Sequence, residues 1–230
     1  MKTSDFDYNL PSELIAQHPP VHREDARLLV LSRGSGEIEH LKFPDLLRFV
    51  KEGDLVVFND TRVLKARLFG HKFSTGGKVE ALLLGGEGGR SWSALVRPSG
   101  RLRLNSEIDF GQGVKARMVV KKDGGKAILE FAGDEAIPEI MERLGYPPLP
   151  PYIRRDPADY PPAARREDEE RYQTVFARVP GAVAAPTAGF HFTSAIFESL
   201  RAKGVRTAFV TLHVGTGTFR PVAAETVEDH

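Results

Sequence analysis

Two histidines stand among apolar residues beside glycine-bearing loops: His191 in GFHFT and His213 in TLHVG. Imidazole changes charge near neutral pH, so a histidine in such a setting is suited to moving a proton. A histidine that only bonds a backbone carbonyl fits either motif as well, and the pair gains weight as a site only if the fold brings both to one edge. Asn59 and Asp60 follow the apolar run LVVF, with Arg62 just after them. They read either as polar groups facing a ligand or as loop punctuation, Asn59 or Asp60 capping the next element and Arg62 pairing with Asp60. In HVGTGTF, Gly215 and Gly217 would let a carboxylate or a sugar approach the backbone, or would simply make a turn.

Other chemistries lack their residues. The sequence has no cysteine, which rules out disulfides and thiolate metal sites. HExxH, a close carboxylate cluster, a GxSxG elbow, a Walker lysine in GTGTF and a GxGxxG after an N-terminal strand are all missing. The metallohydrolase, serine hydrolase, P-loop and common methyltransferase patterns are therefore unsupported.

The elements that would position these residues alternate strand and helix. AVAAP reads as a buried strand, Thr193 or Ser194 as the cap of a helix carrying Ile196, Phe197 and Leu200, Gly204 as its stop, and VRTAFVTLHV as the next strand. A strand, helix and strand in this order predict a right-handed parallel crossover, with PTAGFHF and GTGTFRP at neighbouring carboxyl ends in one crevice. GDLVVFNDTRV repeats that grammar and brings a third polar loop to the same edge. Between these regions the texture changes to short β-prone runs, KVEALLL, SWSALVRP, EIDF, VKARMVV and KAILEFAG, divided by glycine-rich turns. That pattern predicts a small closed barrel. IPEIMERLG then reads as a short helix ending before Gly145, and PPLPPYIRRDP as a stiff return, a simple linker. The expected fold is therefore a mixed α/β class: a discontinuous α/β domain over residues 1–66 and 150–230, with an inserted barrel-like all-β domain over residues 67–149.

Composition agrees with an ordinary globular protein: 41% hydrophobic and 27% charged residues, with 22 Gly and 16 Pro, in 230 residues. The N-terminal MKTSDFDYNLPSELI has acids and a proline where a signal peptide needs an apolar run, so the expected location is cytoplasmic. Lys and Arg number 32 against 31 Asp and Glu, which gives no global basic field. Contact with RNA would need a local patch, and Arg97, Arg101 and Arg103 in RPSGRLR are the candidates; a solvated hairpin loop is the plain alternative.

The motifs DFDYNLPSELIAQHP, FNDTRVLKARLFG, GGKVEALLL, ALVRPSGRL, LPPYI, YQTVFA, VAAPTAGFHFT and FVTLHVGTGTFRPV cover nearly the whole chain. In order and wording they resemble the S-adenosylmethionine:tRNA ribosyltransferase-isomerase family of queuosine biosynthesis. The resemblance implies an enzyme, expected as a monomer, that moves the ribosyl group of S-adenosylmethionine onto 7-aminomethyl-7-deazaguanine at the wobble position of tRNA. Epoxyqueuosine-tRNA, adenine and methionine would be the products. S-adenosylmethionine is then a consumed substrate, with no metal or second cofactor. The matching loops carry over Asn59, Asp60, Thr61 and Arg62, then Thr187, Gly189 and His191, then His213, Gly215, Thr216 and Gly217 as site residues. A sulfonium would be met by Asp60, backbone carbonyls or an aromatic face such as Phe190, Phe192 or Phe219. His191, His213 or Asp60 would serve as the base, His191 first because its loop opens a helix. Family members continue beyond ETVEDH, so part of the outer domain and its site is expected to lie outside this sequence. A non-catalytic module binding the tRNA anticodon arm, and an S-adenosylmethionine-dependent RNA methyltransferase, are the alternatives.

Overall fold

The computed structural model describes residues 1–219 and 222–229; of Ala158, Thr216 and Phe219 only the backbone is described. An antiparallel hairpin of β1 (Arg27–Leu31) and β2 (Ile38–Lys42) precedes β3 (Leu55–Asn59) and β4 (Thr61–Val63). Next come β5 (Arg67–Lys72), β6 (Lys78–Gly88), β7 (Ser91–Arg97), β8 (Glu107–Gly111), β9 (Val114–Lys121) and β10 (Lys126–Phe131). These strands close into an antiparallel barrel in the order β10-β7-β6-β5-β8-β9. Helices α1 (Ile137–Leu144) and α2 (Pro162–Arg171), strand β11 (Val179–Ala182), helix α3 (Ser194–Ala202) and strand β12 (Arg206–Val210) complete the chain.

The barrel follows from period-two alternation. Val79, Ala81 and Leu83 of β6, Val114, Ala116 and Met118 of β9, and Ala127, Leu129 and Phe131 of β10 are buried in one cluster, while the residues between them face the other way, Leu82 among them being buried as well. Each fully buried Leu, Ile or Met contributes about 1.5–3 kcal/mol. Ile137, Ile140 and Met141 lie on one stripe of α1 and join the same cluster, so the helix packs onto the barrel. The sixth strand is RLFGHK, which the β-prone runs did not include. Its Gly70 allows close contact with β8, since a Cβ there would lie 2.5 Å from the Asp109 carbonyl oxygen.

The outer region is parallel but differs from the expected crossover. β12 pairs with β3 and β11 with β4, in two separate two-stranded sheets, and no ladder among the described residues joins β11 to β12. The strand near AVAAP begins earlier, as VPGA, and contains Pro180, which has no N–H to extend a ladder. The caps of α3 match expectation: Thr193 Oγ1 accepts from the Ile196 amide at 3.4 Å, and Gly204 beyond the C-terminus has φ +72°. Phe43, Phe58, Phe192, Ile196, Leu200 and Val205 form the core here, with the Phe58 ring 4.8–5.0 Å from those of Phe176, Phe192 and Phe197. No helix among the described residues is long and apolar enough to cross a membrane.

The proline-rich return from Leu149 to Tyr160 is held by a buried ion pair. Arg155 Nε and Nη2 donate to the two oxygens of Asp168 at 2.7 and 3.0 Å, and the Tyr160 hydroxyl donates to the same carboxylate. Gln17 clasps the strap from the N-terminal segment, accepting from the Arg154 amide at 2.8 Å and donating to the Tyr152 carbonyl at 3.0 Å.

Gly145, which ends α1, has φ −71°, so it is not there for left-handed backbone. A Cβ would collide with the carbonyl oxygens of Lys65 and Met141. Gly145→Ala is therefore expected to cost about 1–3 kcal/mol, read as a lower urea midpoint with unchanged slope. Gly34→Ala, where an added Cβ meets nothing within 4 Å, should leave the midpoint in place; equal behaviour of the two variants would contradict the packing argument.

Candidate functional site

The polar residues after β3 sit where the chain changes strand partner. Up to Asn59 it pairs with β12, and from Thr61 with β11. Asp60, between them, is 2% exposed and every polar group it has is used. Its amide donates to the Val210 carbonyl at 2.9 Å, and its carbonyl accepts from the amides of Arg178 at 2.8 Å and Val179 at 3.2 Å. Its carboxylate accepts from the Thr211 hydroxyl at 2.6 Å and from Arg178 Nη2 at 2.7 Å. The Thr211 hydrogen bond first, then Arg178, holds the carboxyl below its usual range against the opposing effect of burial.

Asn59 fastens the same junction. Its side chain donates to the Leu212 carbonyl at 2.9 Å and accepts from the amides of Leu212 and Thr61 at 3.0 and 3.1 Å. Thr61 is fully buried, and its hydroxyl lies 2.8 Å from His213 Nδ1. The His213 ring rests on Gly181, where a Cβ would come within 2.5 Å of Cε1. The segment after β12 thus folds over β4 and β11, and the Val183 amide donates to the Val214 carbonyl at 3.0 Å. Arg62 is exposed beside a cleft of about 320 Å³ that also includes Gln173, whose side chain brackets the Val63 backbone.

His191 has different surroundings. Its Nδ1 is 3.1 Å from the Arg23 carbonyl and its ring 5.2 Å from that of Phe43. A carbonyl only accepts, so Nδ1 carries the hydrogen and the neutral ring keeps its lone pair on Nε2. Arg23 also donates to the carbonyls of Phe190 and Glu170, each at 3.0 Å, which pins the His191 loop to the N-terminal segment. No hydrogen bond or ring contact among the described residues joins His191 to His213.

The remaining candidates divide in the same way. Thr187 is exposed, whereas Gly189 is a packing residue, because a Cβ there would lie 2.9 Å from both Phe176 and Thr174 side chains. Gly215 and Gly217 face open space; Thr216 and Phe219, whose side chains were candidates, lie outside the described residues in that respect. Phe192 is core, 7% exposed, and offers no free face, while Phe190 is half-buried against Tyr172. The expected arginine cluster is spread out: Arg97 lines two adjoining clefts, Arg101 and Arg103 a third. Arg178, Thr211, Arg23 and Gly181 were not among the expected residues. Only Gly181 carried a local signal, a glycine after proline; the others are ordinary polar residues until the fold brings them to Asp60 and His191. Among the described residues no group of three or more His, Asp or Glu is placed to hold a metal ion.

Residues 3–230 match the model of the family described as queuosine biosynthesis protein. The crystal structure of an S-adenosylmethionine tRNA ribosyltransferase from Thermotoga maritima is similar at 30% sequence identity, over 92% of this chain and 59% of that one, with a TM-score of 0.36. The chain therefore spans 59% of the length of the relative it matches.

The depressed carboxyl of Asp60 links the junction to pH. A carboxyl whose pKa is lower folded than unfolded stabilises above the unfolded value of about 4, and that contribution fades as pH falls through the folded value. Asp60→Asn should accordingly unfold at lower urea than the parent at neutral pH, with the gap narrowing in acid. A gap independent of pH would mean that the ionised carboxylate is not what holds the junction.

Proposed function

The chain belongs to the queuosine biosynthesis protein family, and from that membership we propose an enzyme, a transferase and isomerase of tRNA modification. Its substrates are S-adenosylmethionine and tRNA carrying 7-aminomethyl-7-deazaguanine at the wobble position, and its products are epoxyqueuosine-tRNA, adenine and methionine. The match over residues 3–230 carries this reading. The reaction as proposed uses no metal and no second cofactor, and the enzyme works in the cytoplasm as a monomer.

The carboxyl ends of parallel strands are where α/β folds gather ligand-binding loops. Asn59 ends β3, and the segment carrying His213 follows β12, so this edge is the proposed site of cofactor chemistry. The sulfonium of S-adenosylmethionine acidifies the hydrogens of the adjoining 5′ carbon. A base breaks one C–H bond and takes the proton, the electron pair stays on carbon as an ylide, and the ribosyl group goes on to lose adenine. His213 is the favoured base. It is exposed at the junction and held by the Thr61 hydroxyl, while His191 is fixed to the Arg23 carbonyl and packed on Phe43. Asp60 has both carboxylate oxygens occupied, which suits positioning better than proton transfer.

The test uses the full-length gene product with S-adenosylmethionine and an anticodon stem-loop bearing the deazaguanine. Adenine and methionine should appear together; S-adenosylhomocysteine would indicate a methyltransferase, and RNA binding without either product a non-catalytic module. His213→Gln should cut turnover and solvent exchange at the 5′ carbon by roughly 10²–10⁴-fold, the usual worth of a general base, with S-adenosylmethionine still bound. The same loss in His191→Gln alone would transfer the role to His191.

A further inference from the structure

The outer face of the barrel carries residues away from the strand junction at Asp60. Cross-strand register aligns Arg67 with Leu82 and Leu82 with Leu95, and in the next row Phe69 with Glu80 and Glu80 with Arg97. Leu68, Ala81 and Val96 between them point inward, each no more than 2% exposed. Alternation therefore sets two arginines, a carboxylate and two leucines side by side on the outside. The strap from Leu149 to Asp159 passes over them and leaves a cleft of about 760 Å³.

That cleft belongs to a longer groove. It shares Glu80, Arg97 and Pro157 with a second cleft of about 430 Å³, where Phe69 and Tyr146 supply aromatic surface. The second shares Lys78 and Val79 with a third of about 420 Å³, flanked by Lys72, Arg101 and Arg103. The guanidinium groups of Arg97, Arg101 and Arg103 have no hydrogen-bond or ion-pair partner among the described residues. Arg67 is different: burial lowers its pKa, Glu80 lies 3.1 Å from its Nε, and it donates to the Leu149 carbonyl at 2.7 Å. The Arg67–Glu80 contact is an ion pair without a hydrogen bond, since Arg67 Nε has no hydrogen-bond partner among the described residues, and it leaves Arg97 free. The strap also places Arg154, Asp156 and Asp159 along the first cleft.

We propose that this groove holds a single-stranded segment of RNA, with a guanine-type base against Glu80 in the first cleft and backbone phosphates on Arg97, Lys78, Arg101 and Arg103. A carboxylate presents two acceptors side by side, and among the common bases the guanine edge alone presents two adjacent N–H donors, a match shared by 7-deazaguanines. Leu82, Leu95 and Leu149 give the base an apolar floor, and Phe69 offers an aromatic face for the neighbouring base, while Tyr146 is already covered by Tyr160 and Arg165. The motifs ARLFG, GGKVEALLL and ALVRPSGRL and the more distant LPPYI meet at this groove. The inference rests on RNA being the substrate, and it specifies where the RNA lies.

Binding without S-adenosylmethionine separates the groove from the chemistry. Fluorescence anisotropy would compare a labelled anticodon stem-loop bearing 7-aminomethyl-7-deazaguanine with the same stem-loop bearing adenine at that position. The parent protein should prefer the first by about 10-fold or more, the discrimination typical of a good two-point base contact. Glu80→Gln should abolish most of that preference and leave the adenine stem-loop bound as before. Arg97→Gln, and Arg101→Gln with Arg103→Gln, should weaken both RNAs and flatten the salt dependence by roughly 0.7–1 per phosphate contact removed. Arg97 is exposed and outside the Arg67–Glu80 pair, so its variant tests the groove even if Glu80→Gln unfolds, which a thermal melt would reveal. Unchanged RNA binding in the arginine variants would overturn the groove, and absence of preference in the parent would overturn the role of Glu80. Either result leaves the reaction to be tested separately, by release of adenine and methionine from the parent.

Discussion

A buried carboxylate at a change of strand partner is the constraint on which the rest of this architecture depends. Asp60 is too deep to be left unsatisfied, since an unpaired charge or backbone group there would lose its water without compensation. Its hydrogen bonds therefore dictate where two other segments go. The end of β12 must supply the Val210 carbonyl and the Thr211 hydroxyl, and the entry to β11 must supply Arg178 and the Val179 amide. Once those are in place, His213 has one berth, over Gly181 and against Thr61. The parallel pairs are short because the Asp60 junction, rather than a long ladder, joins them.

A second buried charge shapes the barrel's exterior. Leu82 and Leu95 lie on the outward face of their strands, where an isolated barrel would expose them to water. The Arg155–Asp168 pair, only 12% and 5% exposed, holds the strap that covers this face. Its geometry is two-pronged and Tyr160 adds a third hydrogen bond, so the desolvation of the pair is well compensated. The proline-rich segment, which composition reads as a linker, becomes the wall of a groove. Its prolines keep it extended, and its hydrogen bonds run through Gln17 and Arg155 instead of a ladder.

The barrel was legible because its signal is local: alternation of apolar and polar residues between glycine turns survives in any sequence window. β5 escaped because Gly70 interrupts the apolar pattern and the flanking residues are Arg67, His71 and Lys72. The parallel pairing was less legible, because which strand a short apolar run joins is decided by distant partners such as Arg178 and Thr211. His191 and His213 show the same limit. Both have apolar flanks and a neighbouring glycine loop, yet one is fastened to the Arg23 carbonyl and the other to the Thr61 hydroxyl, and nothing near either residue announces that difference. Arg97, Arg101 and Arg103 read as one cluster because they are close in sequence, but Arg97 ends β7 while Arg101 closes the next turn and Arg103 follows it, so they address different clefts.

The junction and the groove are joined by the short run from Asp60 to Arg67, and that run is braced throughout. Thr61 to Val63 pair with β11, Lys65 bridges Glu142 and Glu169 at 3.3 Å each, and Arg67 exchanges backbone hydrogen bonds with Tyr146 at 3.2 and 2.8 Å. Gly145 presses against the Lys65 carbonyl from the other side, which only a residue without a side chain permits. Leu149 extends the brace, because it packs with Val63 and Ala182 while also lining the first cleft. A ligand that touched both ends of this run would not have to order the connection between them on binding, which lowers the entropy cost of aligning it.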